Sequence, residues 1–191
     1  ADWAMYVDKA DYALLEKEDE CNGNVVASSC GYVPLNDDPI MVFAEKFVRG
    51  KGKFIYCENE EKFVDNLKNL IAYRKWNKVV SFSQSLKTYL EKFGLRIGID
   101  DEDTTVGIGL CHSLIARTGS IIITSAQGLG KHLRHFTPIM IIVAFESQIQ
   151  NGYGDTLNKL PETPPEWIVS IKAGELIEEE IRELYMFVIA D

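Results

Sequence analysis

Two stretches almost free of polar side chains constrain the fold of this chain most strongly. They are SIIIT at 120–124 and PIMIIVAF at 138–145. Both are far shorter than the roughly 20 apolar residues that cross a bilayer, and both are rich in β-branched residues, which predicts strands buried on both faces. Such a sheet needs a layer of structure against each face. The rest of the chain must therefore supply two covering layers.

The segment before these stretches alternates between strand and helix patterns. KFIYC at 53–57 predicts a strand, and Asn59 then caps a helix that begins with two glutamates. KVVSF at 78–82 predicts a second strand, and Ser83 leads into a second amphipathic helix. An earlier helix through Val48 is predicted by Pro39, with Asp37 or Asp38 as its cap. Strand, helix, strand, helix predicts parallel strands joined by crossover helices.

From Arg96 onward strands dominate, with RIGI, VGIGL, EWIVSIKA and LYMFVIA joining the two apolar stretches. We expect helices there only at Leu129–His135, for about two turns, and in the acidic, solvated segment Glu175–Glu183. The fold class that follows is α/β: a three-layer domain with a mainly parallel sheet and a mixed, strand-rich half. We expect one domain over 1–191, in which 1–38 forms a helical and loop-like N-terminal extension.

Charge and hydropathy exclude several functions. The 29 acidic residues outnumber the 20 basic ones and give a net charge of −9, which argues against nucleic acid as a partner. No apolar run is long enough to span a membrane, and the first twenty residues are too acidic for a secretory signal. We therefore expect a soluble, cytoplasmic protein. Homo-oligomer formation stays open.

The cysteines and histidines do not predict a metal site or a bound cofactor. Cys21, Cys30, Cys57 and Cys111 lack the close spacing of zinc or iron-sulfur ligands, so we expect reduced, structural thiols. The three histidines are His112, His132 and His135, and no third ligand stands near the last two in sequence. Cys111 and His112 are adjacent, and on a strand their side chains would point to opposite faces instead of forming a thiolate pair.

The segment 107–143 contains the best candidate for a ligand site. Amides of Thr118, Gly119 and Ser120, and those around Gly128 and Gly130, are expected to line a concave turn, because glycine permits close approach. Arg117, Lys131 and Arg134 would then pair with a carboxylate or phosphate. Two plainer alternatives stay open: the glycines only end a strand, and the basic cluster at 131–135 is the solvated face of a short helix.

The same segment resembles the LUD-domain family, named for lactate utilisation, whose fold is similar to those of sugar-phosphate isomerases and CoA transferases. The family segment typically reads like GITxADxAIAETGT and is followed by a Gly-x-Gly-Arg loop and a strand after a proline. The matching positions here are Gly107, Ile108, Ile115, Ala116, Thr118, Gly119, Ser120, Gly128, Gly130, Lys131 and Pro138. The resemblance extends from about Phe43 to Asp155, with a weaker match at the closing strand.

Departures from the family pattern reverse charge. The family's aspartate is His112 here, and its glutamate before Thr-Gly is Arg117. A guanidinium offers no acceptor and does not lose its proton at physiological pH, so Arg117 cannot replace a carboxylate base. These two basic positions favour anion binding over inherited catalysis. Two further departures are uncharged: Gly109 stands where the family has threonine, and Cys111 where it has alanine.

The resemblance implies a function. We expect an accessory or small-anion-binding subunit in the oxidation of L-lactate to pyruvate, acting with iron-sulfur oxidoreductase subunits that carry the electrons. The first alternative is a divergent transferase or isomerase that acts on a CoA ester or a sugar phosphate. The second is a non-catalytic scaffold.

Overall fold

The computed structural model describes residues 38–98, 105–127, 137–160, 165–174 and 181–191. The helices are α1 (Pro39–Arg49), α2 (Glu60–Arg74), α3 (Gln84–Lys92) and α4 (Tyr153–Asn158). The strands are β1 (Lys53–Cys57), β2 (Val79–Ser81), β3 (Ile97–Gly98), β4 (Val106–Leu110), β5 (Ser113–Ile115), β6 (Ser120–Thr124), β7 (Ile139–Phe145), β8 (Ile149–Gln150), β9 (Ile168–Lys172) and β10 (Glu183–Ile189).

The first three helices begin where the capping pattern predicts. The Asp38 side chain accepts a hydrogen bond from the amide of Ile40 at 3.1 Å, ahead of Pro39. Asn59 caps α2 through the amide of Lys62 at 2.9 Å. Ser83 caps α3, which confirms it as a cap residue. These caps satisfy amides that have no partner inside a helix, so local sequence sets the helix starts.

Six parallel strands form the central sheet in the order β1-β10-β7-β4-β2-β3. Its middle strands are buried on both faces. Along β7, Ile141 and Val143 pack in the core beneath α2 and α3, whereas Met140 and Ile142 face the opposite core. The prediction of a parallel sheet with doubly buried strands is confirmed.

A second, mixed sheet covers the other face in the order β8-β5-β6-β9. β6 pairs antiparallel with both β5 and β9, and β5 pairs parallel with β8. Side chains of this sheet, such as Leu114 and Ile121, pack in one core with Phe43 and Phe47 of α1. The first layer consists of α2 and α3, the second is the parallel sheet, and the third is the mixed sheet with α1. This arrangement confirms the three-layer α/β class.

Some local predictions need correction or fall outside the described residues. The short elements β5, β8 and α4 were not predicted, because none has a long periodic pattern. Glu183 does not end a solvated helix; it begins β10, and its carboxylate bonds to Lys53 and Arg74. Nearly all of the N-terminal extension expected over 1–38, the helix expected at 129–135 and most of the one expected at 175–183 lie outside the described residues.

Candidate functional site

The turn between β5 and β6 brings three of the predicted site residues together against α1. It spans 116–119, and the amides of Thr118 and Gly119 both donate to the carbonyl of Ile115, at 3.4 and 2.9 Å. These two amides close the turn, and the part of the expected anion-binding cradle around Gly128 and Gly130 lies outside the described residues.

Gly119 allows the turn to lie directly on α1. Its φ is +64°, and a Cβ atom there would come within 2.8 Å of Lys46 Cβ and 3.1 Å of the Phe47 amide nitrogen. Only glycine accepts both the left-handed conformation and this approach without strain. The sequence predicts close approach at this glycine in a ligand-binding turn; in the structure the close contact is with α1.

A cleft of about 290 Å³ opens where the turn meets the ends of α1 and β9. Its lining residues are Lys46, Gly50, Thr118, Gly119, Lys172, Ala173 and Gly174. Lys46 lies in the last turn of α1, and Lys172 is the last residue of β9. The two lysines are distant in sequence, and none of these lining residues is acidic. Among the described residues, the cleft therefore brings two lysines together in a chain whose net charge is −9.

Four hydroxyl groups form a continuous hydrogen-bonded chain that ends at this cleft. We call Ser170, Tyr153, Ser120 and Thr118 the hydroxyl chain. Tyr153 Oη lies 3.0 Å from Ser170 Oγ and donates to Ser120 Oγ at 3.1 Å, and Ser120 Oγ lies 2.7 Å from Thr118 Oγ1. Ser120 also stands opposite Lys172 in the β6–β9 register. Thr118 thus connects the cleft to a phenol on α4.

The hydroxyl chain changes the acidity of Tyr153. Partial burial alone would raise its pKa, but side-chain hydrogen bonding with Ser120, Ser170 and Thr118, together with the charge of Lys172, lowers the pKa below the ordinary 10.0. Donors directed at an oxygen stabilise its ionised form. The phenol therefore titrates more readily than an ordinary tyrosine.

Arg117 lies beside the cleft and is not one of its lining residues. Its amide donates to the carbonyl of Asn151 at 3.4 Å, and its Cδ lies 4.0 Å from where a Cβ on Gly152 would stand. The Nη2 atom of Arg117 is buried. The guanidinium therefore adds positive charge between the turn and the start of α4. Direct contact between Arg117 and an anion stays a prediction.

His112 stands at the other end of β5, about 10 Å from the turn at the usual rise of a strand. Its Nδ1 lies 3.2 Å from Ser113 Oγ, which contacts Thr156 Oγ1 at 3.2 Å. Burial lowers the pKa of His112. Neither His112 nor its neighbour Cys111 lines the cleft. The two residues lie in the connection between β4 and β5, not on one strand.

The described cysteines match the expectation of structural thiols. Cys57 and Cys111 are buried and form no disulfide. Burial raises the pKa of Cys111 to about 12, which keeps it a thiol at neutral pH. In the described part of the chain, no three His, Cys, Asp or Glu side chains are grouped so that they could hold a metal ion.

Several predicted site residues lie outside the described ranges, and other site residues were not predicted. Gly128, Gly130, Lys131 and Arg134 belong to the first group, as do His132 and His135. Lys46, Tyr153, Ser170 and Lys172 belong to the second. The alternation of Ser170 and Lys172 in IVSIK was a weak signal, because it fits an ordinary solvated strand face equally well.

Comparisons with known proteins reveal a relationship at the level of the fold. The structure is similar to the crystal structure of a DUF162 family protein from Deinococcus radiodurans, with a TM-score of 0.57 and 17% sequence identity. The match covers 79% of this chain and 96% of the other. No protein-family model matches the chain, and no curated protein matches it. Within the described residues, no helix has the length and apolar character to cross a membrane.

Proposed function

We propose that this protein binds a small anion in the cleft between α1, the β5–β6 turn and the end of β9. The observation that carries the proposal is that Lys46 and Lys172, which are distant in sequence, both line this cleft. An anion bound in the cleft would be attracted by both ammonium groups. In a chain of net charge −9, such a concentration of positive charge favours an anionic ligand.

The geometry favours a small ligand. Each lysine acts as a mobile point charge for a carboxylate or phosphate, and Thr118 supplies a hydroxyl from the turn. A cleft of about 290 Å³ lies at the lower end of the range for ligand pockets and is too small to enclose a whole coenzyme A. A metabolite the size of a short carboxylic acid fits it best.

We further propose that the anion site serves a LUD-type subunit in the oxidation of L-lactate to pyruvate. The sequence resemblance to LUD-domain proteins and the fold likeness to a DUF162 protein support this assignment. The electrons would then be carried by iron-sulfur oxidoreductase subunits. Copurification of such subunits and loss of growth on lactate after deletion are the expected results; normal growth together with no such partner would count against this role.

Anion binding itself is tested by a matched pair of double variants. Lys46→Gln with Lys172→Gln removes both charges from the cleft, whereas Lys62→Gln with Lys68→Gln removes two charges from the exposed surface of α2. Isothermal titration with L-lactate, pyruvate and inorganic phosphate should show at least a roughly tenfold loss for the cleft variant, since a hydrogen bond to a charged group is worth about 1.5–3 kcal/mol. The surface variant should bind like the wild type. Equal binding by the two variants would contradict the proposal.

A catalytic alternative is favoured by one feature: Tyr153, whose pKa is lowered from 10.0, is connected through Ser120 to Thr118 of the cleft. It is a transferase or isomerase in which the cleft holds only the anionic end of a CoA ester or sugar phosphate. Thermal shift assays at millimolar concentrations of both ligand classes distinguish it: stabilisation by these ligands and none by lactate or pyruvate favours the alternative. If the protein is a non-catalytic scaffold, added anions should have no effect on the melting temperature of either double variant.

A further inference from the structure

The hydroxyl chain carries an inference about which anions the cleft selects. Its members come from three elements: Thr118 from the turn with Ser120 beginning β6, Tyr153 from α4 and Ser170 from β9. Tyr153 and Ser120 are separated by 33 residues, and Tyr153 and Ser170 by 17, so the arrangement is produced by the fold. Binding the charged group of a small anion does not by itself require four hydrogen-bonded hydroxyl groups.

The protons of the chain can be counted. Each hydroxyl has one proton to donate, so four hydroxyls have four, and the three contacts use three of them. Tyr153 donates to Ser120, so the contact with Ser170 requires Ser170 to donate to Tyr153. When Ser120 in turn donates to Thr118, the fourth proton is that of Thr118. Thr118 is the member that lines the cleft.

We infer that Tyr153 orients the hydroxyl chain so that Thr118 donates to a hydroxyl or carbonyl oxygen of the bound anion. The inference rests on the proposed anion site and names its ligand class: a small acid that carries an oxygen substituent besides its charged group. Lys46 and Lys172 bind the charged group, and Thr118 donates a hydrogen bond to the oxygen substituent. Tyr153 is a positioning residue, because it acts through Ser120 and Thr118.

The groups around Tyr153 are consistent with this role. Lys172 contributes from β9, Lys46 lies across the cleft on α1, and Arg117 lies next to Gly152, which precedes Tyr153. On its own helix the nearest acidic residue in sequence is Asp155. When the phenol ionises, it loses the proton that it donates to Ser120, so it no longer sets the direction of the hydroxyl chain. Neutral Tyr153 is thus the form that supports recognition.

The test compares ligands that differ by one hydroxyl group in proteins that differ by one hydroxyl group. L-Lactate and propionate form the carboxylate pair, and 2-hydroxypropyl phosphate and propyl phosphate form the phosphate pair; whichever pair the wild type discriminates identifies the charged group. The wild type should prefer the hydroxylated member about three- to tenfold, the value of one neutral hydrogen bond. Tyr153→Phe should bring that ratio close to one while affinity for propionate or propyl phosphate stays unchanged.

Control variants and outcomes separate this inference from the proposed function. Thr118→Val should abolish discrimination, and Ser170→Ala should weaken it, because each interrupts the chain at a different point. A ratio that is already near one in the wild type, or that is unchanged in Tyr153→Phe and Thr118→Val, overturns the inference while anion binding stands. If no member of either pair binds the wild type, both the anion site and this inference fail. A purely structural effect of Tyr153→Phe lowers both affinities equally and also overturns it.

Discussion

Replacing Gly119 by alanine tests whether the turn truly rests on α1. An alanine at φ +64° takes up a left-handed conformation that costs about 1–2 kcal/mol. Its Cβ would also come within 2.8 Å of Lys46 Cβ and 3.1 Å of the Lys46 carbonyl carbon, so α1 or the turn must move. Forced overpacking of this kind adds about 1–3 kcal/mol. We expect the free energy of unfolding to fall by about 2–5 kcal/mol in total.

Gly94 provides the matched control for this prediction. It also has a positive φ, +80°, but nothing lies within 4 Å of a Cβ added there. Gly94→Ala should therefore lose only the conformational cost of about 1–2 kcal/mol. Urea denaturation followed by tryptophan fluorescence gives both values, with partly buried Trp76 as one reporter. Equal losses for the two variants would refute the claimed contact between the turn and α1.

Three further predictions concern titratable groups. Glu183→Gln should lower the free energy of unfolding by about 1–3 kcal/mol in urea denaturation, because Lys53 and Arg74 lose their partly buried counter-charge. The folded pKa of Glu183 lies below 4.5, so its stabilising contribution is present above pH 4.5 and is lost as pH falls through the folded pKa. If the variant keeps the pH dependence of the wild type, this prediction is wrong. Ultraviolet difference titration of the wild type against Tyr153→Phe should reveal one phenol whose pKa lies below 10.0, and an added anion should raise that pKa. The stabilising contribution of this phenol is complete above pH 10.0 and is lost as pH falls through the folded pKa. If the variant still shows the low-pKa phenol, the role given to the hydroxyl chain is contradicted. Cys111 should resist thiol reagents at neutral pH until urea unfolds the protein, as read by peptide mapping, whereas rapid labelling in the folded state would show that the thiol is accessible.

Elements with a strong local signal could be predicted from the sequence. Asp38, Asn59 and Ser83 cap their helices through side-chain atoms within three residues, so the relevant interactions are local. The apolar strands β6 and β7 are buried regardless of their partners, which fixes their place in a layered fold. Fold class follows from such segments because each one needs cover on both faces.

The composition of the site depends on contacts between distant segments, and these could not be predicted. Lys46 looked like an ordinary basic residue in a last helical turn, and only the position of Gly119 against α1 brings it to the cleft. Tyr153 lay in a segment without a periodic pattern. For Arg117 the sequence indicated charge but not direction, since its side chain passes Gly152 on the side of α4. Contacts with distant segments, and not local helix or strand propensity, determine where these side chains lie.

The most direct test of the central claim is to locate a bound anion by NMR chemical-shift mapping. Titration of isotope-labelled protein with L-lactate or phosphate should shift amide signals at the cleft, foremost those of Gly50, Thr118, Gly119, Ala173 and Gly174. Signals of Lys62 and Lys68 on α2 should stay unchanged. Shifts confined to 128–136, or to the surroundings of His112, would place the anion elsewhere and contradict the account.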